Sequence, residues 1–267
     1  MKLEALITRF AQVLCLVAAL VPAAPAGAQF VSPGATVPVI ANAPGFNDTF
    51  WRSDVSILNV SDTSTSIVLQ LFPEIVSGQA TFEAAISDPI SIGPGEQLQL
   101  SNVLQTRFGV VDAKGALRIF SINGAPLVVS SRTYTPGETG GSYGQDVLGV
   151  PVVGSGWVAG VRNDGFYRTN IGVFWGGFEP ASFTITVYSA SGEAVGTRDM
   201  TFSEAGLQQL SLDRIGVGLL LGGWVKVVPS DTGASWYGYA STVDEVTGDA
   251  VYRNLQGNFA FPSKLGQ

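Results

Sequence analysis

Histidine is absent from this 267-residue chain, and cysteine occurs once, at Cys15. Cys15 falls in a stretch that reads as a removable leader, so the mature chain is expected to hold neither residue. Ser-His-Asp triads, Cys-His pairs, His or Cys ligation of zinc and haem, iron–sulfur clusters, thiol redox chemistry and disulfides then lack their atoms. Charged residues are scarce, at 13%. No sustained helical period is present, nor any apolar run of about eighteen residues. With 46% hydrophobic residues and 33 glycines the composition is nonetheless globular, because disorder needs low hydrophobicity and high charge.

The first residues have the parts of an export signal: Lys2 and Arg9, an apolar run from Val13 to Val21, then Ala26-Gly27-Ala28 before Gln29. Cleavage is expected after Ala28, making 1–28 a signal peptide and placing the mature protein in the periplasm or outside the cell. The run is too short to cross a bilayer as a helix, and Asn258 to Gln267 lacks a hydrophobic tail, so no integral membrane anchor is expected. Without Lys2, Arg9 and Glu4 the 14 basic and 21 acidic residues become 12 and 20, a net charge of −8. Such a chain repels phosphate backbones, which makes nucleic acid a poor partner. About 239 residues without a disulfide must rely on packed cores.

An internal repeat organises the rest. Asn47-Asp48-Thr49-Phe50-Trp51-Arg52-Ser53-Asp54 recurs without a gap as Asn163-Asp164-Gly165-Phe166-Tyr167-Arg168-Thr169-Asn170. Leu98-Gln99-Leu100 then resembles Leu207-Gln208-Gln209-Leu210, Gly115 to Ile119 resembles Gly223 to Val227, and Tyr143-Gly144-Gln145 resembles Tyr252-Arg253-Asn254. Each copy also opens with Val-Pro-Val, at Val37-Pro38-Val39 and at Val150-Pro151-Val152. The expected organisation is an N-terminal segment over 29–35, a first module over 36–147, a second over 149–262 and a tail over 263–267.

Period-two alternation, as in Ile67, Leu69 and Leu71 or Phe183, Ile185 and Val187, predicts strands. Turn residues such as Gly93-Pro94-Gly95, Asn123-Gly124 and Ser191-Gly192 separate them at a regular pace. The predicted class is all-β: two tandem antiparallel β-sandwich modules, immunoglobulin-like but without the inter-sheet disulfide. Single helical turns are expected within Ser101–Phe108 and Leu212–Val217. The duplicated box, Phe50 to Asp54 and Phe166 to Asn170, resembles modules of uncharacterised exported proteins of environmental bacteria. That resemblance implies a secreted β-sandwich and brings no activity with it.

Two readings of the box compete. In one, Arg52 or Arg168 lies against Trp51 or Tyr167 and offers a cation and a ring to a ligand. In the other the box is a strand entry: Asn-Asp turns the chain, Phe50 and Phe166 enter the core, and the arginine pairs with a carboxylate such as Asp54, with Asn170 its counterpart. Repetition favours the second, because a fold needs its corner twice. Four of the five tryptophans, Trp157, Trp175, Trp224 and Trp236, lie in the second copy. Alternation sends Trp236 to one sheet face and Tyr237 with Tyr239 to the other. If one face is open, Trp175, Trp236, Tyr237 and Tyr239 are candidates for a platform that binds a glycan or a protein. A core tryptophan with half-buried tyrosines is the stronger alternative.

Acidic residues fall mostly in turns, and no spacing singles out a catalytic pair. Asp244 to Asp249 lacks the alternating acids of a calcium loop. No catalytic residue, metal ligand or cofactor is assigned, and the expected role is a non-catalytic structural, adhesive or binding one at the cell surface. Self-association is a further possibility, by addition of a free Gln29–Ile40 strand to a sheet edge.

Overall fold

The computed structural model describes residues 31–257 except 46–48, 138–139, 232 and 234. The expected signal peptide, the tail and Asn47-Asp48 lie outside the described residues. Val31 onward forms one compact unit, built from two β-rich halves. The first half contains β1 (Gly34–Pro44), β2 (Phe50–Asn59), β3 (Thr65–Pro73), β4 (Ile75–Val76), β5 (Gln79–Ala80), β6 (Ala85–Ile86), β7 (Ile90–Ile92), β8 (Gln97–Leu100), α1 (Val103–Phe108), β9 (Ala113–Ser121), β10 (Leu127–Pro136) and β11 (Ser142–Asp146). The second contains β12 (Pro151–Val153), β13 (Gly156–Asn163), β14 (Tyr167–Trp175), β15 (Ala181–Ser189), β16 (Ala194–Phe202), β17 (Gly206–Ser211), α2 (Leu212–Ile215), β18 (Leu220–Pro229), β19 (Ser235–Asp244), β20 (Ala250–Asn254) and β21 (Gln256–Gly257). Both helical turns occur where the sequence places them.

The strand pairings are antiparallel throughout the named elements. In the first half β1 leaves β9 for β2 at Asn42. The sheet β11-β10-β2-β1-β9-β3-β6 therefore folds over a core of Val55, Ile57, Leu69, Leu117 and Val129 in a sandwich-like arrangement. In the second half β12-β19-β14-β17 faces β16-β15-β18-β13-β21 across Val173, Trp236, Phe183 and Val225. Burying each such side chain contributes about 1.5–3 kcal/mol relative to exposure.

Equivalent strands show why the box repeats. Its fourth residue, Ser53 or Thr169, faces Thr133 or Thr242 on the neighbouring strand. Ser53 Oγ accepts the Ala41 N–H at 2.8 Å and lies 2.7 Å from Thr133 Oγ1. Thr169 Oγ1 accepts the Arg162 N–H at 3.1 Å, donates to the Arg162 carbonyl at 2.7 Å, and lies 3.0 Å from Thr242 Oγ1. Ala41 and Arg162 each follow a register shift against β9 or β18, where the regular ladder is interrupted. The buried hydroxyl satisfies a backbone donor there. Thr169→Val keeps the shape and removes the acceptor, so urea unfolding should show a loss of about 1–3 kcal/mol. An unchanged midpoint would contradict this role.

Several expectations change. Val37-Pro38-Val39 lies within β1 against β9, whereas Val150-Pro151-Val152 leads into β12 against β19. The first-half counterpart of β12 is the Ser32–Leu127 bridge, whose two N–H···O bonds measure 3.1 and 2.8 Å. The paired structure of the first half thus begins ahead of residue 36. Nor is Gly34–Ile40 a free strand: it pairs with β9, and Val37 and Ile40 are fully buried. Its ladder groups are already used within the chain, which removes it as a donor for strand addition.

The halves also interlock. Ile75 of the first half packs into the second core, while Phe174, Leu207 and Tyr239 of the second belong to the first. The linker is held by Gly149 N–H to Thr36 O at 2.9 Å and by Asn254 Nδ2 to Leu148 O at 2.9 Å. A Cβ on Gly149 would come within 2.7 Å of the Tyr237 ring and 2.9 Å of the Thr36 carbonyl, so close backbone approach requires glycine.

Candidate functional site

The second half's sheet β12-β19-β14-β17 is covered on both faces. Thr169, Ile171, Val173 and Trp175 of β14 turn toward the second core, and Arg168, Asn170, Gly172 and Phe174 turn toward the first half. The latter face changes character along the strand. At one end Phe174 meets Phe72, with ring centroids 5.0 Å apart, and Arg118 lies over both rings. At the other it opens into a cleft of about 880 Å³ whose walls come from both halves.

Hydrogen bonds set the cleft lining. Tyr239 donates its phenol to Gln209 Oε1 at 2.7 Å. Burial, then the nearby Tyr252 and Glu74, raises that phenol well above its ordinary value, so it stays a neutral donor. Gln145 and Ser241 exchange bonds across the two halves at 3.1 and 3.2 Å. Lys114 reaches the buried Glu74 carboxylate at 2.9 Å. Arg168 lies 3.5 Å from Glu245; burial lowers its proton affinity and Glu245 raises it, leaving a charged guanidinium. Arg198 and Arg214 complete the basic lining, and Trp51 adds an aromatic ring.

The candidates from the sequence divide accordingly. Trp51, Arg168, Asn170 and Tyr239 line the cleft. The exposed platform does not form: Trp236 and Tyr239 are fully buried, Trp175 is 9% exposed, and half-buried Tyr237 lies 5.9 Å from Phe174. Alternation places Trp236 and the two tyrosines on opposite faces, but neither face is open, because the first half covers the one that carries Tyr237 and Tyr239. Trp236 donates to Gly154 O at 3.0 Å, and Trp175 donates to Glu179 O at 2.9 Å, anchoring the turn after β14.

The box also departs from its strand-entry account. Phe166 is 64% exposed rather than core, and half-buried Phe50 lies under the Arg52 guanidinium at 5.5 Å. Asp54 accepts the Asn102 N–H at 2.8 Å. The cation over Tyr167 is Arg162, at 4.0 Å, not Arg168. Glu74, Lys114, Gln145, Gln209 and Ser241 were not site candidates in the sequence: Gln145 and Gln209 stood out only as members of repeated segments, and the five are far apart along the chain.

A smaller recess of about 280 Å³ includes Arg162, Tyr167, Asp244 and Asp249. Beside it, Asp164 accepts the Phe166 and Tyr167 N–H groups at 2.9 and 3.0 Å and the Arg162 side chain at 3.0 and 2.8 Å. The Phe166 N–H, with Arg162 and the Tyr167 N–H, outweighs burial and holds this carboxyl below its ordinary 3.8. Its contribution to stability is therefore present above the unfolded value and is lost as pH falls through the lower folded value. Asp164→Asn keeps an oxygen acceptor but cannot titrate, and should flatten the stability curve below about pH 4 in urea unfolding. An identical acid limb would refute this. Among the described residues no group of three or more acidic, His or Cys side chains is placed to hold a metal ion.

No protein-family model matches the chain, and no curated protein matches it. Among solved structures, an exo-chitosanase of Amycolatopsis orientalis in complex with PNP-beta-D-glucosamine matches at 14% identity and a TM-score of 0.25, over 82% of this chain. This chain covers only 26% of that one, and the likeness establishes neither fold nor activity here.

Proposed function

We propose that this chain is an exported, non-catalytic binding protein of two immunoglobulin-like β-sandwich modules fused into one body. It works in the periplasm or at the cell surface, and the cleft between its halves recognises a small hydrophilic ligand. The leader residues ending at Ala28 and the resemblance of the repeated box to exported bacterial modules support the location. The missing His and Cys chemistry supports a binding role. The observation that carries the reading is the change along the β14 face from Phe174 packing to an open, polar cleft with hydrogen-bonded walls. A joint serving assembly alone would gain more by continuing the apolar contact. The cleft volume lies within the roughly 300–1,000 Å³ of small-molecule sites.

Thermal unfolding of the mature protein should be followed against neutral sugars, sugar acids, organic acids and amino acids. A ligand at 100 times its Kd adds about 2.7 kcal/mol, which raises Tm by roughly 5–11 °C for a body of this size. Thr201→Trp, a change at an exposed position on the cleft wall, should abolish the rise. No shift with any class, or one that survives Thr201→Trp, would overturn the site. Turnover of the bound compound would overturn the non-catalytic role.

A further inference from the structure

We infer that the ligand of this cleft is an anionic, carboxylate-bearing saccharide, an assignment that rests on the cleft being the binding site. Among the described residues, four basic side chains, Lys114, Arg168, Arg198 and Arg214, line it with two acids, Glu74 and Asp199. The whole chain, by contrast, has a net charge of −7. Lys114 is matched by Glu74, and Asp199 accepts the Thr184 hydroxyl at 2.7 Å. Arg168 of β14 faces Glu245 at 3.5 Å, so the excess of guanidinium charge comes from Arg198 of β16 and Arg214 of α2, neither of which has an ion pair among the described residues. Guanidinium groups match carboxylate geometry in a way an ammonium cannot.

The remaining lining points to a sugar rather than a simple anion. With Gln209 Oε1 taken by Tyr239, the Gln209 amide NH2 is the part left for hydroxyl groups, and Asn170 adds a second amide. The half-buried Trp51 ring offers a surface suited to the C–H face of a pyranose. A single inorganic anion would leave most of the 880 Å³ unused.

Calorimetric titration of the mature protein with trigalacturonate, maltotriose, citrate and inorganic phosphate tests the assignment. Trigalacturonate should bind, more weakly as salt rises, and Arg198→Gln and Arg214→Gln should each weaken it by roughly tenfold or more, with unchanged circular dichroism. Maltotriose binding equally well, with both variants neutral, would overturn the anionic assignment while leaving the cleft as the site. Citrate or phosphate binding as tightly as trigalacturonate would overturn the saccharide assignment. Trigalacturonate failing to bind would also overturn it, and a Thr201→Trp-sensitive thermal shift from another compound would then show that the cleft reading survives. Absence of any such shift would remove both.

Discussion

Gly172→Ala should destabilise the protein by about 3 kcal/mol, the upper end for overpacking a filled core, and lower Tm by roughly 6–12 °C. Gly172 of β14 lies opposite Tyr239 of β19, and a Cβ there would be 2.1–2.4 Å from the Tyr239 ring and hydroxyl. That ring has no simple escape. It is fully buried, stacks on Tyr252 at 5.3 Å, and is tied to Gln209 through its hydroxyl. The new methyl must displace either the ring or the strand, with loss of the phenol's hydrogen bond. Tyr239→Ala removes the obstruction at the cost of its own cavity, so the double variant should be more stable than the two single losses added together predict. Calorimetry of the four proteins measures the coupling. A Gly172→Ala protein within about 0.5 kcal/mol of wild type would show that this ring does not limit the strand.

Trp236→Ala should cost about 3–5 kcal/mol, because it empties the largest fully buried side chain in the second core. Trp236 packs 5.2 Å from the Phe183 ring and satisfies the Gly154 carbonyl, so the substitution also leaves that acceptor without its indole donor. The interlock extends the effect beyond one half. Ile75 stands in the damaged core, and the opposite face of the same sheet carries Phe174 and Tyr239 into the first. Scanning calorimetry should therefore show one transition moving down as a whole. Two separated transitions, with the upper one at the wild-type temperature, would mean that the halves unfold independently.

Much of this architecture was legible in one dimension. Alternation at Ile67–Leu71 and Phe183–Val187 identified strands because side chains leave a strand with a period of two, wherever that strand later packs. The box marked equivalent strands, although its reason is the hydroxyl of Ser53 and Thr169 rather than its ring or its arginine. The Val-Pro-Val match misled because two short apolar segments can occupy different strands of similar halves. The cleft was only partly visible: Trp51, Arg168, Asn170 and Tyr239 stood out by type, but nothing local assembled them.

Composition and pattern alone determined an all-β chain in two related halves, with no His and no Cys beyond Cys15, since periodicity, turns and residue inventory are local properties. Only the tertiary structure decided which face of β14 and β19 meets water. The covering surface comes from distant chain: Phe72 lies against Phe174, and Gln145 reaches Ser241 across 96 positions. Burial is a property of what packs opposite. One strand face thus became a core at Phe174 and a cleft wall at Arg168 and Asn170.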